Sequence, residues 1–489
     1  MPFQQLQTVL CFVCILLVMN ANAQAQLVAT GPQESTAPNT LDNHYTQQSS
    51  DTFTTSVAQQ SYTTGKEQRY QDFLACIRNP DGSVPTSFAD YLINMDVAGT
   101  TIAILEGGFL DRIEYFGLED VESGEVTDTE TIYNVASMSK FMAGIVIAEA
   151  HRQGIVGLNR SIRSHASELG DPLLNLWLAY KFTGTAATYP DTIKLKHLLS
   201  HSAGLDTSAV GTYAAGHEKS HADFLIGETS QDWVVDTVGV LPVLQPRTTA
   251  SYSGGGYVAA EVILEAASGS TYADWTTANL LQPLGMSAST YEKAVTGMPH
   301  LATRCGWSDL LTAGTCQNEG SLIKSATGFL SRPADWATLL EIVNAGGYDR
   351  NGALVLDPEV IEDVLTPAHH EDSSLAACAV DSDCANSSEI CFLGKCKQPL
   401  ASPVTGTEQF YGLGVALSKV RLTDGLPRFL SHGGLNDGYS SNFRLDRLTG
   451  RGMVTMSNGK SYYNGSSLDF SRGVPAVRTE LLRCWSQVY

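Results

Sequence analysis

Basic residues are scarce in this sequence. Thirty lysines and arginines stand against 51 aspartates and glutamates, which leaves a formal net charge of −21 at pH 7. Such a surface repels a phosphate backbone, so we expect no nucleic-acid partner. Apolar residues make up 43% of the 489 positions and charged residues 17%. That balance can build a sizeable core and excludes a wholly disordered or collagen-like chain.

Long apolar stretches are missing too. An apolar run at residues 8–19 (TVLCFVCILLVM) is shorter than the roughly 20 residues that a membrane helix needs. It ends just before Ala21-Asn22-Ala23, a small-x-small cleavage pattern. We therefore predict a signal peptide over residues 1–23, with an uncleaved membrane anchor as the alternative. Since no later stretch is long and apolar enough to cross a membrane, we expect a secreted mature chain without a membrane span.

Cysteine usage agrees with export. Two of the ten cysteines fall in the predicted signal peptide. The others are even in number, which in an exported protein indicates disulfide bonds; they are Cys76, Cys305, Cys316, Cys378, Cys384, Cys391, Cys396 and Cys484. Four of them lie in residues 372–407, which we interpret as a small Cys-rich insert. Four cysteines allow three pairings, and the sequence does not choose among them.

The rest of the chain divides into a linker and one long folded region. Residues 24–65 are dominated by Gln, Ser and Thr, and we predict a disordered linker there. The folded region, 66–489, begins with a short helix near Lys66. Strand patterns lie at 99–106, 109–116, 411–417, 428–432, 439–446 and 451–457, and helical patterns at 141–153, 258–267 and 333–344. Strands at both ends with helices between them predict an α+β fold, with one sheet built from both ends and a helical subdomain inserted.

Ser137 and Lys140 precede the most apolar of these helices. A serine and a lysine three residues apart face the same side of a helix. At a helix N-terminus the unpaired N–H groups and the dipole oppose protonation of the lysine, so a partly desolvated lysine can take the serine proton. The pattern is weak alone, because Ser321-x-x-Lys324 and Ser457-x-x-Lys460 match it as well.

Two further motifs follow in order: Tyr252-Ser253-Gly254, and His432-Gly433-Gly434 at the opening of a strand. Together with TIYNVASMSK, HLLSHSAGL, YSGGGYVAAEVILEAASG, QPLGMSAST and SHGGLNDGYSSNFRLDRLTGRGMVTMSNG, they extend from about Ile102 to Gly459. On these pieces the chain resembles the serine β-lactamase and penicillin-binding-protein superfamily, in particular the class C β-lactamase-like branch, which also holds esterases and D-stereospecific peptidases. The resemblance implies a β-lactamase/transpeptidase-like α+β fold, with an antiparallel sheet from both chain ends, flanking helices and an inserted helical subdomain.

The resemblance also implies roles for individual residues. Ser137 would be the nucleophile, Lys140 its activating partner, and Tyr252 the phenol that carries a proton to the leaving group. The strand that lines the substrate and the oxyanion site would be formed by His432, Gly433, Gly434 and Leu435. The backbone N–H groups of Ser137 and Leu435 would form the oxyanion hole. The resemblance implies no cofactor and no metal.

Two positions depart from the family pattern. Gly254 stands where an asparagine is usual, so no side-chain amide meets a substrate acyl-amide there. His432 stands in place of a lysine, and a neutral imidazole attracts a substrate carboxylate less. We therefore expect a secreted serine hydrolase that acts through an acyl-enzyme on a small ester or amide, esterase-like or D-peptidase-like rather than an efficient β-lactamase.

The resemblance bears on the disulfides as well. If the insert closes on itself and Cys305 pairs with Cys316, parity leaves Cys76 and Cys484. The resemblance places the N- and C-terminal helices side by side, which implies a Cys76–Cys484 bond.

Two other functions compete with this interpretation. His217, Glu218 and His221 spell HExxH, the signature of zinc peptidases, although Gly216 and the polar Lys219-Ser220 do not suit a buried zinc helix. A non-catalytic secreted binding protein on the same fold is the second. His201, within HLLSHSAGL, is interpreted as a packing residue near the site.

Overall fold

A computed structural model describes residues 54–489 apart from 207–219, 228–238, 249, 292–297, 307, 309–322, 368–389, 393–394, 398–408, 421–426 and 465–466. The chain forms two units, residues 1–72 and 73–489. Of the first unit, residues 54–72 are described, and all of them are helical. The predicted signal peptide (1–23) and the linker as far as residue 53 lie outside the described residues.

The described helices occupy mainly the centre of the chain. In chain order they are α1 Thr54–Cys76, α2 Phe88–Asn94, α3 Ser139–Arg152, α4 Ile162–Leu169, α5 Pro172–Lys181, α6 Tyr189–Thr192, α7 Leu195–Leu199, α8 His221–Ile226, α9 Gly255–Ser268, α10 Tyr272–Thr276, α11 Pro333–Asn344, α12 Pro358–Leu365 and α13 Gly473–Val488. Short 3-10 turns lie at Ala136–Met138 and Gly184–Ala186, and a π-helical turn at Thr277–Leu281 extends α10. Within the described part of the chain, no helix is long and apolar enough to cross a bilayer.

The strands come from both ends of the second unit. They are β1 Val97–Glu106, β2 Phe109–Gly117, β3 Tyr133–Asn134, β4 Leu330–Ser331, β5 Ile390–Phe392, β6 Lys395–Lys397, β7 Gln409–Tyr411, β8 Ala416–Val420, β9 Pro427–Asn436, β10 Tyr439–Asp446, β11 Arg451–Gly459, β12 Tyr463–Asn464 and β13 Ser467–Leu468. Among the described strands, seven form one antiparallel sheet in the order β2-β1-β11-β10-β9-β8-β7. The α+β fold with a sheet built from both chain ends is thus confirmed.

At strand β1 the sheet is covered on both faces. Every residue of β1 is buried, and alternate side chains of a strand point to opposite faces, so neither face of β1 meets solvent. Helices α2, α11 and α13 contact this part of the sheet. The β1–β2 turn has two glycines, Gly107 and Gly108, with φ of 64° and 90°, as a tight hairpin of the predicted kind requires.

The main core lies between the sheet and the helices α3, α9 and α11. Phe141 of α3 packs against Phe443 of β10, with ring centroids 5.0 Å apart, and Trp336 of α11 lies 6.0 Å from Phe443. All three rings are almost fully buried. Burial of such a side chain stabilises the fold by about 1.5–3 kcal/mol, so the start of α3 is held firmly against the sheet.

Two predicted boundaries are wrong. Helix α1 begins at Thr54 rather than near Lys66, so the end of the predicted disordered linker, residues 54–65, is helical. Extending an existing helix avoids the costly nucleation step, which is why weak helix formers can follow it. The predicted strand 411–417 is two strands, β7 and β8, because a turn intervenes at Gly412, whose N–H donates to Val415, and at Gly414, with φ of 74°.

The predicted Cys76–Cys484 disulfide is confirmed. It joins the end of α1 to α13 across a sequence separation of 408 residues, with Cα atoms 5.6 Å apart, the spacing usual for such bonds. Cys305 is also disulfide-bonded, and its predicted partner, Cys316, lies outside the described residues.

The Cys-rich insert is described in part. Strands β5 and β6 place Cys391 opposite Cys396 in the ladder. Cys378 and Cys384 lie outside the described residues, and the disulfide pairing within the insert stays a prediction.

Candidate active site

Ser137 lies in the 3-10 turn that leads directly into α3. Backbone N–H groups in the first turn of a helix have no partner within it, which leaves the Ser137 N–H available to a ligand. The preceding residue, Ala136, has a left-handed φ of 48°, a conformation that costs about 1–2 kcal/mol for a residue other than glycine. Its N–H donates to Oδ1 of the buried Asn134 at 2.8 Å. This bond holds the strained turn.

Strands β9 and β10 fix the same turn from the other side. Ser441 donates its hydroxyl to the Val135 carbonyl at 2.6 Å, and Nδ2 of Asn436 donates to Oδ1 of Asn134 at 2.8 Å. A Cβ atom on Gly434 would lie 2.1 Å from the Val135 oxygen, so only glycine fits between β9 and the turn. The end of β9, where Leu435 lies, is therefore packed against the turn that carries Ser137.

Lys140 is fully buried beneath the serine. Its Nζ donates to Oγ of Ser137 at 3.3 Å and to the carbonyl of Ala326 at 2.9 Å. Burial lowers the pKa of Lys140 to about 7, because a charged ammonium is disfavoured away from water. Near neutral pH a large fraction of the side chain is thus a free amine beside the serine hydroxyl.

Tyr252, just before α9, places its phenol beside the side chain of Ser137. Burial raises the pKa of Tyr252 to about 12, against the opposite effect of the neighbouring Ser137 side chain, so the phenol keeps its proton at physiological pH. Nζ of Lys140 lies 4.9 Å from the centre of the Tyr252 ring. The Ser137 hydroxyl thus has a proton acceptor, the Lys140 amine, and a proton donor, the Tyr252 phenol, beside it.

A cavity of about 250 Å³ opens beside these groups, lined by Tyr252, Tyr411, Ala416, Ser431, His432, Gly433 and Asn442. The His432 ring lies 6.4 Å from that of Tyr252, and its Nδ1 is 2.8 Å from the Gly433 carbonyl. Burial, with Lys140 and Arg478 nearby, lowers the pKa of His432 to about 3. His432 is accordingly neutral at physiological pH.

The structure therefore brings together Ser137, Lys140, Tyr252, His432 and Gly433, which the sequence singled out from separate segments. The other two Ser-x-x-Lys patterns do not form such a site among the described residues: Ser457 lies inside β11, where its hydroxyl accepts a bond from Thr100 at 2.9 Å, and Ser321 lies outside them.

Several residues that shape the site escaped the sequence analysis. Asn134, Asn436 and Ser441 hold the Ser137 turn through bonds that span about 300 residues, and no local pattern marks such partners. Arg478 of α13 lies behind Gly433 and donates to the Gly434 carbonyl at 3.3 Å. The only feature of the sequence that pointed to Arg478 was its position in the expected C-terminal helix.

The structure contradicts a zinc-binding HExxH helix at His221. That residue begins α8, and Ser220 before it is the N-cap in extended conformation, whereas a helix that carried both His217 and His221 would pass through Ser220. His221 instead pairs with the buried Glu261, Nε2 to Oε1 at 3.0 Å. This ion pair raises the pKa of His221 against the effect of burial. His217 and Glu218 lie outside the described residues.

Among the described residues, one group of side chains brings metal-ligand atoms together. Those of Glu119, Asp128 and His300 lie within 4.8 Å of one another. Glu119 already accepts a hydrogen bond from Thr131 at 2.8 Å, and nothing further points to an ion there.

Comparison with known proteins agrees with this geometry. The family model described as "Beta-lactamase" matches residues 87–375, more than half of the chain. The chain belongs to the β-lactamase family. Members of this family are serine hydrolases.

Two individual proteins that resemble this chain have low sequence identity to it. Penicillin-binding protein 4* of Bacillus subtilis (strain 168) is 26% identical over 188 residues, which are 38% of this chain and 36% of that protein. The chain thus matches about a third of the length of this curated relative. The octameric penicillin-binding protein homologue from Pyrococcus abyssi superposes with a TM-score of 0.51 at 17% identity, over 81% of this chain and 75% of that one. This likeness confirms the β-lactamase/transpeptidase-like fold.

Proposed function

We propose that this β-lactamase-family protein hydrolyses a small ester or amide through an acyl-enzyme on Ser137. One observation carries the proposal: the Ser137 hydroxyl is hydrogen-bonded to Lys140, whose pKa burial lowers to about 7, and lies beside the protonated phenol of Tyr252. A nucleophilic serine needs an adjacent base at its working pH, and a lysine buried in this way supplies one.

The reaction follows from these positions. The neutral Lys140 amine takes the Ser137 proton as Oγ attacks the substrate carbonyl, and the oxyanion accepts bonds from the backbone N–H groups of Ser137 and Leu435. Tyr252 gives its proton to the leaving group and regains one from the Lys140 ammonium. Water then cleaves the acyl-enzyme by the reverse transfers. Each preorganised oxyanion donor is worth about 2.7–4 kcal/mol.

The lining of the cavity supports a substrate other than a β-lactam. His432 stands where the family usually has a lysine, and its pKa of about 3 means that it offers no positive charge to a carboxylate at neutral pH. Gly254 offers no side-chain amide. An ester, or a small amide without a carboxylate, needs neither group.

Export is a second part of the proposal. It rests on the signal-peptide pattern of residues 1–23 and on the disulfides at Cys76–Cys484 and Cys305, since such bonds persist in oxidising compartments. The first residue of the mature protein, measured by N-terminal sequencing, should be Gln24; retention of Met1 would contradict cleavage.

A substrate panel tests the activity. We expect kcat/KM for a p-nitrophenyl short-chain ester or a D-alanine p-nitroanilide to exceed that for a chromogenic cephalosporin by about 10²-fold or more. Ser137→Ala should lower the ester rate by at least about 10³-fold at an unchanged melting temperature, and EDTA should have no effect. Full turnover by Ser137→Ala would refute Ser137 as the nucleophile. Loss of activity with EDTA would favour a metal-dependent mechanism. If the wild type turns over none of the substrates, the alternative of a non-catalytic binding protein is favoured.

A further inference from the structure

His201 holds Tyr252 from three directions. Its carbonyl accepts a hydrogen bond from the Ser251 N–H at 2.7 Å, and its Nδ1 accepts one from the Ser253 N–H at 3.1 Å. Its ring lies 4.3 Å from the Tyr252 ring, tilted by 32°. The residues immediately before and after Tyr252, and the phenol ring itself, are thus all held by one side chain and its own backbone.

His201 does this at some expense to stability. Because Nδ1 accepts a bond, the proton of the neutral ring is on Nε2, and that atom is buried with no hydrogen-bond partner among the described residues. An unsatisfied buried donor destabilises the folded state. The backbone adds strain, since φ of His201 is 58°, in the left-handed region. Unfavourable features of this kind cluster at functional sites.

The surroundings keep the ring in one state. Burial, together with Lys140 and His432, holds the pKa of His201 well below its ordinary value. The Tyr411 ring meets it edge-on at 5.2 Å, and the Tyr257 ring lies at 5.5 Å. The imidazole therefore remains a neutral hydrogen-bond acceptor, and its aromatic neighbours leave it little room to turn.

We propose that His201 is a positioning residue, which aims the Tyr252 phenol at Ser137 for proton transfer. This inference rests on the proposed role of Tyr252. A phenol oxygen stands far from its own backbone, so a small displacement of the chain at residues 251–253 moves the hydroxyl out of line, and misplacement by about 1 Å can lower a rate about 10²-fold. The sequence alone indicates only a packing role for His201.

A double-mutant cycle tests the inference. His201→Phe keeps a flat ring and removes the acceptor, whereas His201→Asn keeps an acceptor in the place of Nδ1 and removes the ring. Each variant is made in the wild type and in Tyr252→Phe. In the wild type we expect either change to lower kcat about 10- to 100-fold, with KM within about 3-fold; in Tyr252→Phe we expect either to cost less than about 3-fold, because residues that act as a unit are not additive.

His197→Asn is the matched control. His197 belongs to the same segment, is buried, and likewise accepts a backbone N–H bond at Nδ1, from Lys194 at 3.0 Å. We expect its kcat to equal that of the wild type. Asparagine tolerates a left-handed backbone, so the His201→Asn variant decides the test if His201→Phe shows no cooperative thermal transition.

The outcomes separate the two proposals. Equal losses in both backgrounds, or wild-type kcat in both His201 variants while Tyr252→Phe is impaired, would overturn the positioning role alone. Full activity of Tyr252→Phe by itself would instead refute the proposed function of the tyrosine.

Discussion

Lys140 is buried without a carboxylate at ion-pair distance among the described residues; its Nζ meets the Ser137 hydroxyl and the Ala326 carbonyl. A buried ammonium that is not compensated by a counter-ion loses its proton more easily. The two histidines beside it, His201 and His432, have pKa values far below 7 for the same reason of burial. Among these three groups, Lys140 is the one that titrates near neutral pH.

A pH profile follows from this difference. Because the base must be unprotonated to accept the Ser137 proton, kcat/KM for a neutral ester should fall tenfold per pH unit below an apparent pKa of about 7. It should level off above that value, and Tyr252, with a pKa raised to about 12, should not limit it up to pH 9. Rates measured from pH 5 to 9 check the curve, and an acid limb centred near 4 would contradict it.

Lys140→Arg is the matched variant for this profile. It keeps a positive charge and a long side chain but cannot lose its proton in a protein. We expect activity at least about 10³-fold lower at every pH. A Lys140→Arg enzyme with substantial activity would show that the base lies elsewhere.

At the scale of single residues, the sequence indicated the reactive side chains but not the residues that fix their positions. Ser137, Lys140 and Tyr252 stand in short motifs whose order along the chain is informative. Asn134 and Ser441 carry no such mark, because their partners come from strands about 300 residues away. The same holds for His201, whose contact with Tyr252 depends on how two distant segments pack.

Among the elements, α3 and the turn between β7 and β8 pack so closely that side chains do not fit between them. A Cβ on Gly414 would lie 1.9 Å from the carbonyl of Lys140, and one on Gly144 would lie 2.0 Å from that of Leu413. Gly414 also has φ of 74°. The turn thus fixes the helix at the very residue that carries the proposed base.

Gly414→Ala should therefore harm both stability and activity. Gly154→Ala is a matched control, because Gly154 has the same φ of 74° but open space around the new Cβ. The control should lose about 1–2 kcal/mol, the cost of a left-handed backbone, and keep its kcat/KM. Gly414→Ala should lose more and lower kcat/KM at least about 10-fold. Thermal unfolding and ester kinetics measure both; equal melting temperatures and equal rates would contradict the close contact.

Elements were predictable where a local period was strong. Helix α11 has the predicted bounds, Pro333–Asn344, because a proline at its start and an apolar stripe both mark it. The strand predicted at 411–417 failed because Gly412 and Gly414 were not recognised as a turn. The HExxH pattern does not form one helix, because Ser220 caps the start of α8, with Asp223 completing a capping box.

In the molecule as a whole, the two ends of the second unit are joined. Strand β1 pairs with β11 along its length, and the Cys76–Cys484 bond links α1 to α13. A cross-link that closes a long loop reduces the freedom of the unfolded chain, by about 4.7 kcal/mol for 100 residues in the chain-entropy model. This pair could be predicted from the even number of cysteines and from the resemblance to the family. Neither of these selects a pairing among the four cysteines of the Cys-rich insert.

Removal of the bond should lower stability and spare the chemistry. We expect the double variant Cys76→Ala/Cys484→Ala to lose a few kcal/mol in the free energy of unfolding, since engineered and native bonds often return less than the entropy model. Urea unfolding measures the loss, and kcat/KM at 25 °C should stay within about 3-fold. An unchanged unfolding midpoint would contradict the stabilising role of the bond.

The central claim concerns the whole enzyme: Ser137 is the nucleophile of a working serine hydrolase. A fluorophosphonate tests it most directly, because an activated serine displaces its fluoride and keeps the phosphonyl group. Intact-mass spectrometry followed by peptide mapping should show one adduct per chain, on the peptide that contains Ser137, and none in Ser137→Ala. A wild-type protein that stays unlabelled, or an adduct that forms equally in Ser137→Ala, would contradict the account.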